Sequence, residues 1–219
     1  MPSWRSTSSR PADPRWSAPA AAAAASAAAL AVLTAAVLVA GQLPGEAVVL
    51  SAARDLDGWP RDVAGAISAG SESEVVAVVA AAVAAALILV RRPAAALVVV
   101  GSMVAVLVLG PLLKAGVSRP RPEVAPLPAD VSEYAFPSGH AAAAAALALA
   151  TVLAVRAGPR RVLLAALGLI AVATSGAAQL VLGRHHPADL VAGWLLAVVC
   201  VGCAQEVRRR TGSGAPGAG

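Results

Sequence analysis

An all-α bundle of membrane-crossing helices is the fold class this sequence predicts, on three observations. Of its 219 residues 58% are hydrophobic, and only 13% carry charge, about half the usual share of a soluble domain. The mean hydropathy is +0.76. Apolar runs follow one another from Ala18 to Ala204, with the charged residues gathered at their ends. A chain of this makeup cannot present a soluble surface, so nearly all of it belongs in lipid.

Crossing the hydrocarbon core takes about 20 mostly apolar residues in a helix. Six segments qualify: 18–40, 74–91, 94–113, 138–156, 162–182 and 187–205. The first follows Arg5, Arg10 and Arg15 and superficially resembles a signal peptide. Its apolar run is longer than the usual signal core and more spans follow, so it is read as a membrane helix. All six are rich in Ala, Val, Leu and Gly, small residues that let helices approach closely. The alanine run Ala141–Ala146 makes its span only moderately hydrophobic, so tight packing matters more there than contact with lipid. The segment 41–73 places Leu50, Leu56, Val63 and Ile67 among Asp55, Asp57, Arg61 and Asp62, interrupted at Trp59-Pro60. That pattern predicts a broken amphipathic helix lying at the interface, anchored by Trp59. The chain thus divides into a tail over 1–17, a membrane domain over 18–205 and a basic, Gly-rich tail over 206–219. Thr211–Gly219 is expected to be disordered.

Charge orients the bundle. With a cytoplasmic N-terminus, the inside segments hold Arg5, Arg10, Arg15, Arg91, Arg92, Arg156, Arg160, Arg161, Arg208, Arg209 and Arg210. These are 11 of the 17 basic residues, whereas of the acidic residues only Asp13 and Glu206 fall inside. Basic loops stay cytoplasmic, so six spans with both termini inside is the predicted topology. The formal charge of +5 does not imply a nucleic-acid partner, because the positive residues form short clusters at span ends instead of one continuous face. No ionisable residue lies in the middle of a predicted span, where a channel or transporter would need one. Cys200 and Cys203 lie one helical turn apart in the last apolar run and read as small packing residues.

Some polar residues go beyond what bilayer anchoring needs. The third span ends in Lys114-Ala-Gly-Val-Ser-Arg119-Pro-Arg121-Pro122. The fourth begins Pro137-Ser138-Gly139-His140, and the last is preceded by Gly183-Arg184-His185-His186-Pro187-Ala188-Asp189. All three histidines and the single lysine therefore fall at one membrane face. Phosphoryl transfer suits such a group, because it is accelerated mainly by positioning and by cationic donors around the phosphate oxygens. Lys114 and Arg121 supply charge, and Arg121 can grip two oxygens at once. Pro137-Ser138-Gly139 is a helix start whose free N–H groups form an anion site, with the Ser138 hydroxyl as a further donor. Asp189 stands four residues after His185, so its carboxylate can reach the imidazole, fix its tautomer and leave the other nitrogen free to attack. His140 has no such partner nearby in sequence and is free to protonate a leaving oxygen.

These motifs resemble those of the type 2 phosphatidic acid phosphatase superfamily, the lipid phosphate phosphatases. Their signature has the form K-x6-R-P, P-S-G-H and S-R-x5-H-x3-D. The first is complete in Lys114 to Arg121-Pro122 and the second in Pro137 to His140. The third is present as His185-x3-Asp189, followed by Leu-Val-Ala-Gly193. The resemblance covers about 114–193, and the six-span layout extends it over most of the chain. It implies a membrane phosphatase acting on a lipid phosphate such as phosphatidic acid or an isoprenyl diphosphate, without metal or other cofactor. It also implies a phosphohistidine at His185 oriented by Asp189, a proton donor in His140, and phosphate ligands in Lys114, Arg121, Ser138 and Gly139. A lipid phosphotransferase on the same fold is the alternative. One position departs from the pattern: Gln179, preceded by Ala178, stands where the family places the arginine of S-R. A glutamine brings no charge, which predicts a weakly active or non-catalytic relative unless Arg184 or Arg119 compensates. The site is expected on the outer face of what the composition suggests is a bacterial plasma membrane. The sequence is silent on oligomeric state.

Overall fold

The structure is a computed structural model, and it describes residues 17–123 and 132–213. Eight helices make up the described part: α1 (Ala18–Ala40), α2 (Glu46–Arg54), α3 (Trp59–Gly70), α4 (Ser73–Leu89), α5 (Pro93–Val117), α6 (Gly139–Ala154), α7 (Pro159–Val181) and α8 (Pro187–Ser213). Arg5, Arg10 and Arg15, on which part of the orientation rests, lie outside the described residues, as does 214–219.

Local sequence explains most of the boundaries. Ser17 caps α1 by accepting a hydrogen bond from the Ala20 amide, with proline in the first turn. α3, α5 and α7 likewise carry proline at their first or second position, where its missing N–H costs nothing. Trp59-Pro60 therefore starts α3. Ser118 ends α5 in a left-handed conformation, φ 50°, with its N–H on the Lys114 carbonyl. That reversal sends Arg119 back into the protein.

By length and composition, α1, α5, α7 and α8 can each cross a membrane, and α3 with α4 makes a fifth span if that pair, bent by 49°, counts as one. The span expected at 138–156 is the 16-residue α6, about 24 Å long at 1.5 Å per residue and short of the roughly 30 Å hydrocarbon core. Its position accounts for its composition. α6 is enclosed by α4, α5, α7 and α8, and it buries Ala141, Ala142, Ala143, Ala146, Ala150 and Ala154. The alanine run is thus a packing surface for other helices.

α8 is the hub, touching α1, α5 and α6. Two glycines allow its closest approaches. A Cβ on Gly193 would lie 2.6 Å from the Ser138 carbonyl oxygen, and one on Gly202 would lie 2.7 Å from both the Ala23 Cβ and the Pro19 carbonyl oxygen. Large apolar side chains such as Val39, Leu89, Leu97 and Leu169 face outward, an apolar exterior suited to lipid.

The segment 41–73 is broken into α2 and α3 as expected, but its buried face differs. α3 packs on α7 through Ala64 and Ser68, while Trp59 and Val63 stay exposed. Of the apolar set, Leu50 in α2 is buried. α8 continues through Thr211–Ser213, so those three residues are helical and not part of a disordered tail. Cys200 is buried and Cys203 exposed, both free; burial of Cys200 accords with a packing role.

Candidate active site

One end of the bundle gathers the turn after α1, the end of α5, the start of α6 and the turn leading into α8. The Ser138 amide donates to the Asp189 carbonyl, 2.9 Å, tying the first turns of α6 and α8 together. Ser138 is the N-cap of α6, its hydroxyl accepting from the Ala141 amide. The opposite end of the bundle is marked by the Ser17 hydroxyl donating to Glu206 Oε2, 2.6 Å, where α1 begins and α8 finishes.

The sequence-predicted residues converge at the first end. His185 and Asp189 are buried at the base, while Lys114, Arg121, Gly139, His140 and Arg184 are half-buried around them. Arg121 Nη1 lies 3.3 Å from His185 Nε2 and also donates to the Arg184 carbonyl; Arg121 Nε donates to the Ser132 carbonyl, 2.6 Å. A guanidinium can only donate, so Nε2 is the unprotonated nitrogen and Nδ1 carries the hydrogen. Nδ1 lies 3.5 Å from Asp189 Oδ2, close enough for the charges to interact but without a formed hydrogen bond on that nitrogen. Burial pushes the His185 ring down to about 4, against the raising influence of Asp189 and helped by the positive charges of Arg121 and Lys114. The imidazole is therefore neutral at physiological pH, with a lone pair on Nε2. The charges of Arg184, Lys114 and Arg121 all bear on His140, whose Nε2 has no hydrogen-bond partner among the described residues.

Beside Lys114 a cavity of about 400 Å³ runs along α5, lined by Val106, Leu107, Gly110, Pro111, Tyr134 and Gly139 among others. It joins the cationic end of the site to an apolar wall one to two turns deeper on α5. A Cβ on Gly139 would meet nothing within 4 Å, so open space lies in front of the first turn of α6.

Gln179 is buried and donates to the Ser68 hydroxyl, 2.9 Å, which also accepts from Arg184 Nη1, 3.0 Å. Arg119, one of the two residues expected to compensate for Gln179, is committed elsewhere. It is buried and paired with Glu46 and Asp189, so it has no donor to spare for a ligand. Arg184 is only half-buried and donates to Ser68 rather than to a carboxylate, and its charge bears on His140. Sequence reasoning missed Ser68 and Glu46. Glu46 had a signal, an acidic residue in an apolar stretch beside a membrane helix; Ser68 had none.

The sequence profile of the PAP2 superfamily matches residues 94–211, more than half of the chain. The chain belongs to the PAP2 superfamily. Its membership brings Lys114, Arg121, Ser138, His140, His185 and Asp189 within one matched region. The PAP2 fold extends further: a crystal structure of a transmembrane PAP2-type phosphatidylglycerolphosphate phosphatase from Bacillus subtilis is similar over 86% of this chain and 96% of that one, with TM-score 0.73 and 19% identity. At that identity what is shared is the fold, and its coverage reaches beyond the residues matched by the profile. No curated protein sequence matches this PAP2 chain. Apolar helices and a membrane fold make it an integral membrane protein.

Proposed function

We propose that this PAP2 protein is a lipid phosphatase that hydrolyses a lipid phosphate mono- or diphosphate ester through a phosphohistidine at His185. The observation that carries the reading is the line Arg121–His185–Asp189. A donor-only cation sits on the bare Nε2 of a neutral imidazole, and a carboxylate faces its Nδ1–H. Substrate phosphate would enter between Arg121 and His185, moving the guanidinium off the nitrogen and onto the phosphate oxygens. Lys114, Arg184, the Gly139 end of α6 and the Ser138 hydroxyl would complete the anion pocket.

Nε2 attacks phosphorus as the P–O bond to the leaving group breaks, and His140, in its imidazolium form with the substrate dianion bound, gives its proton to the departing oxygen and is left neutral. Asp189 stabilises the positive charge that builds on the His185 ring. Water then attacks the phosphohistidine, giving its proton to His140, and inorganic phosphate leaves with both histidines restored. These steps require no metal.

The apolar wall beside Lys114 favours an amphiphilic substrate, its phosphate at the cations and its chain along α5. Phosphatidic acid, isoprenyl diphosphates and phosphatidylglycerolphosphate, the substrate named for the similar Bacillus subtilis protein, share that chemistry. We further propose six crossings, with α3 and α4 as one bent span and α6 as a short central one. Both termini would be cytoplasmic and the site would open at the outer face of a bacterial plasma membrane, as the arginine distribution directs.

Phosphate release by purified protein from a panel of these lipids, in chelator, tests the reading. Wild type should turn over at least one lipid and form an acid-labile, base-stable phosphoenzyme; His185→Ala should do neither. Turnover that survives His185→Ala would overturn the mechanism. Labelled phosphate passing to an added acceptor lipid in place of water would make it a transferase.

A further inference from the structure

The carboxylate behind His185 is held by a buried ion cluster that the catalytic steps above do not use. Arg119 Nη1 donates to Asp189 Oδ1 at 2.6 Å, and its Nη2 donates to Glu46 Oε2, also at 2.6 Å. Nη1 lies 3.4 Å from Glu46 Oε1, and Nε and Nη2 both donate to the Gly41 carbonyl, at 3.1 and 2.8 Å. Glu46 accepts in turn from the amides of Leu43, 2.7 Å, and Ala188, 3.1 Å. The second Asp189 oxygen accepts from the His186 amide, 2.7 Å, and faces His185. Arg119, Glu46 and Asp189 are each less than 5% exposed.

Charge in so dry a place acts over longer range than in water. Arg119 alone would cancel the Asp189 charge that the His185 ring needs when its Nε2 bonds to phosphorus. With Glu46 on its other side, the three groups sum to one negative charge. Geometry points the same way: Arg119 occupies Oδ1 and the His186 amide holds Oδ2, so the carboxylate cannot rotate away from Nδ1.

We propose that Glu46 and Arg119 are positioning residues for the Asp189–His185 pair, Arg119 orienting the carboxylate and Glu46 returning the negative charge that Arg119 would neutralise. The inference rests on His185 being the nucleophile, and it adds a residue, Glu46, from outside the matched family region. A merely structural cluster would tie the turn after α1 to the start of α8 and leave the imidazole indifferent to the charge of Glu46. The other charged groups acting on that ring are Lys114 on α5 and Arg121 after it; His186 Nδ1 lies 3.9 Å from Glu46.

The test compares Glu46→Gln, Asp189→Asn and the double variant, each first checked for thermal unfolding in detergent. Two quantities are read: kcat and KM on the best lipid phosphate, and the titration of the 15N-labelled His185 ring, assigned with His185→Gln. Glu46→Gln should lower kcat about 10- to 100-fold with KM within about threefold, the pattern of an interaction made in the transition state. It should also lower the proton affinity of the ring severalfold. The losses from Glu46→Gln and Asp189→Asn should not multiply in the double variant, since both act through one carboxylate. An unchanged titration and kcat in a folded Glu46→Gln protein, or fully multiplying losses, would overturn the inference. Should Glu46→Gln fail to fold, Glu46→Asp with Arg119→Lys decides. The first, keeping the charge, should preserve the ring titration, and the second, losing the fork, should not; the reverse order would refute the proposal. Should wild type hydrolyse no lipid phosphate, the phosphatase reading fails while the ring titration still decides the coupling.

Discussion

Gly193→Ala isolates the contact that brings the two halves of the site together. Gly193 is where α8 crosses the first turn of α6. A methyl group there would stand 2.6 Å from the Ser138 carbonyl oxygen, with the Ala141 Cβ and the Ala142 amide nitrogen each at 3.1 Å. The nearest obstacle is backbone, so no rotamer change relieves it. Opening 2.6 Å to an ordinary contact of 3.4 Å moves α6 and α8 apart by about 0.8 Å, within the range of displacement that overpacking forces. The Ser138 amide bond to the Asp189 carbonyl, 2.9 Å, lies at that crossing and would stretch past the normal range. His140 and Ser138 ride on α6, while His185 and Asp189 ride on α8 or just before it. A displacement near 1 Å between reacting groups costs on the order of 100-fold in rate, and the overpacking about 1–3 kcal/mol in stability. The assay is phosphate release by purified protein, with thermal unfolding alongside. Gly202→Ala is the control, because its methyl also meets backbone, at 2.7 Å from the Pro19 carbonyl, but at the far end of α8. It should destabilise to a similar degree and leave kcat within about threefold. If Gly193→Ala retains wild-type turnover, or if Gly202→Ala loses as much, the crossing does not set the site geometry.

Other outcomes follow from the same coordinates. Because folding holds His185 near 4 through burial, below its unfolded value of about 6.5, the unfolded chain binds more protons between those values. Stability is therefore fully present above about pH 6.5 and falls as pH drops toward 4, by up to roughly 3 kcal/mol; a pH series of unfolding midpoints should flatten in His185→Gln. Arg121→Lys keeps the charge but cannot serve the Ser132 carbonyl, the Arg184 carbonyl and His185 Nε2 together, so kcat should fall about 100-fold or more. Gln179→Arg places a longer cation in a fully buried position where Arg184 already uses the same Ser68 hydroxyl. It should lower the unfolding midpoint instead of raising turnover. Ser68→Ala should cost less, about three- to tenfold in kcat/KM, by releasing Arg184.

The motif residues were legible because they stand at short, fixed spacings in the chain, with only the S-R part of the third replaced by Ala178-Gln179. His185 and Asp189 are neighbours on one helical turn, and Ser138-Gly139 opens a helix wherever that helix lies. Apolar length likewise announced the long helices. It did not reveal that α6 is only 16 residues long and packed among other helices, because an alanine run looks the same whether it faces lipid or other helices. Compensation for Gln179 was unreadable too: Arg119 and Arg184 are equivalent as letters, and only their partners separate a cation locked between two carboxylates from one resting on the Ser68 hydroxyl.

By itself the sequence determined the class of chain, its family and most of its long apolar helices. Hydrophobicity, helix-start residues and motif spacing are local properties that a linear string carries in full. Tertiary structure alone decided which charges lie around His185 and what fixes the Asp189 carboxylate beside it. Those depend on contacts between segments far apart in the chain, such as Arg121 with His185, 64 residues away, and Arg119 with Asp189 and Glu46, 70 and 73 away. In a dry site an ångström determines whether two charges cancel or cooperate, and that distance exists only once α8 has closed against α6 and the turn after α1.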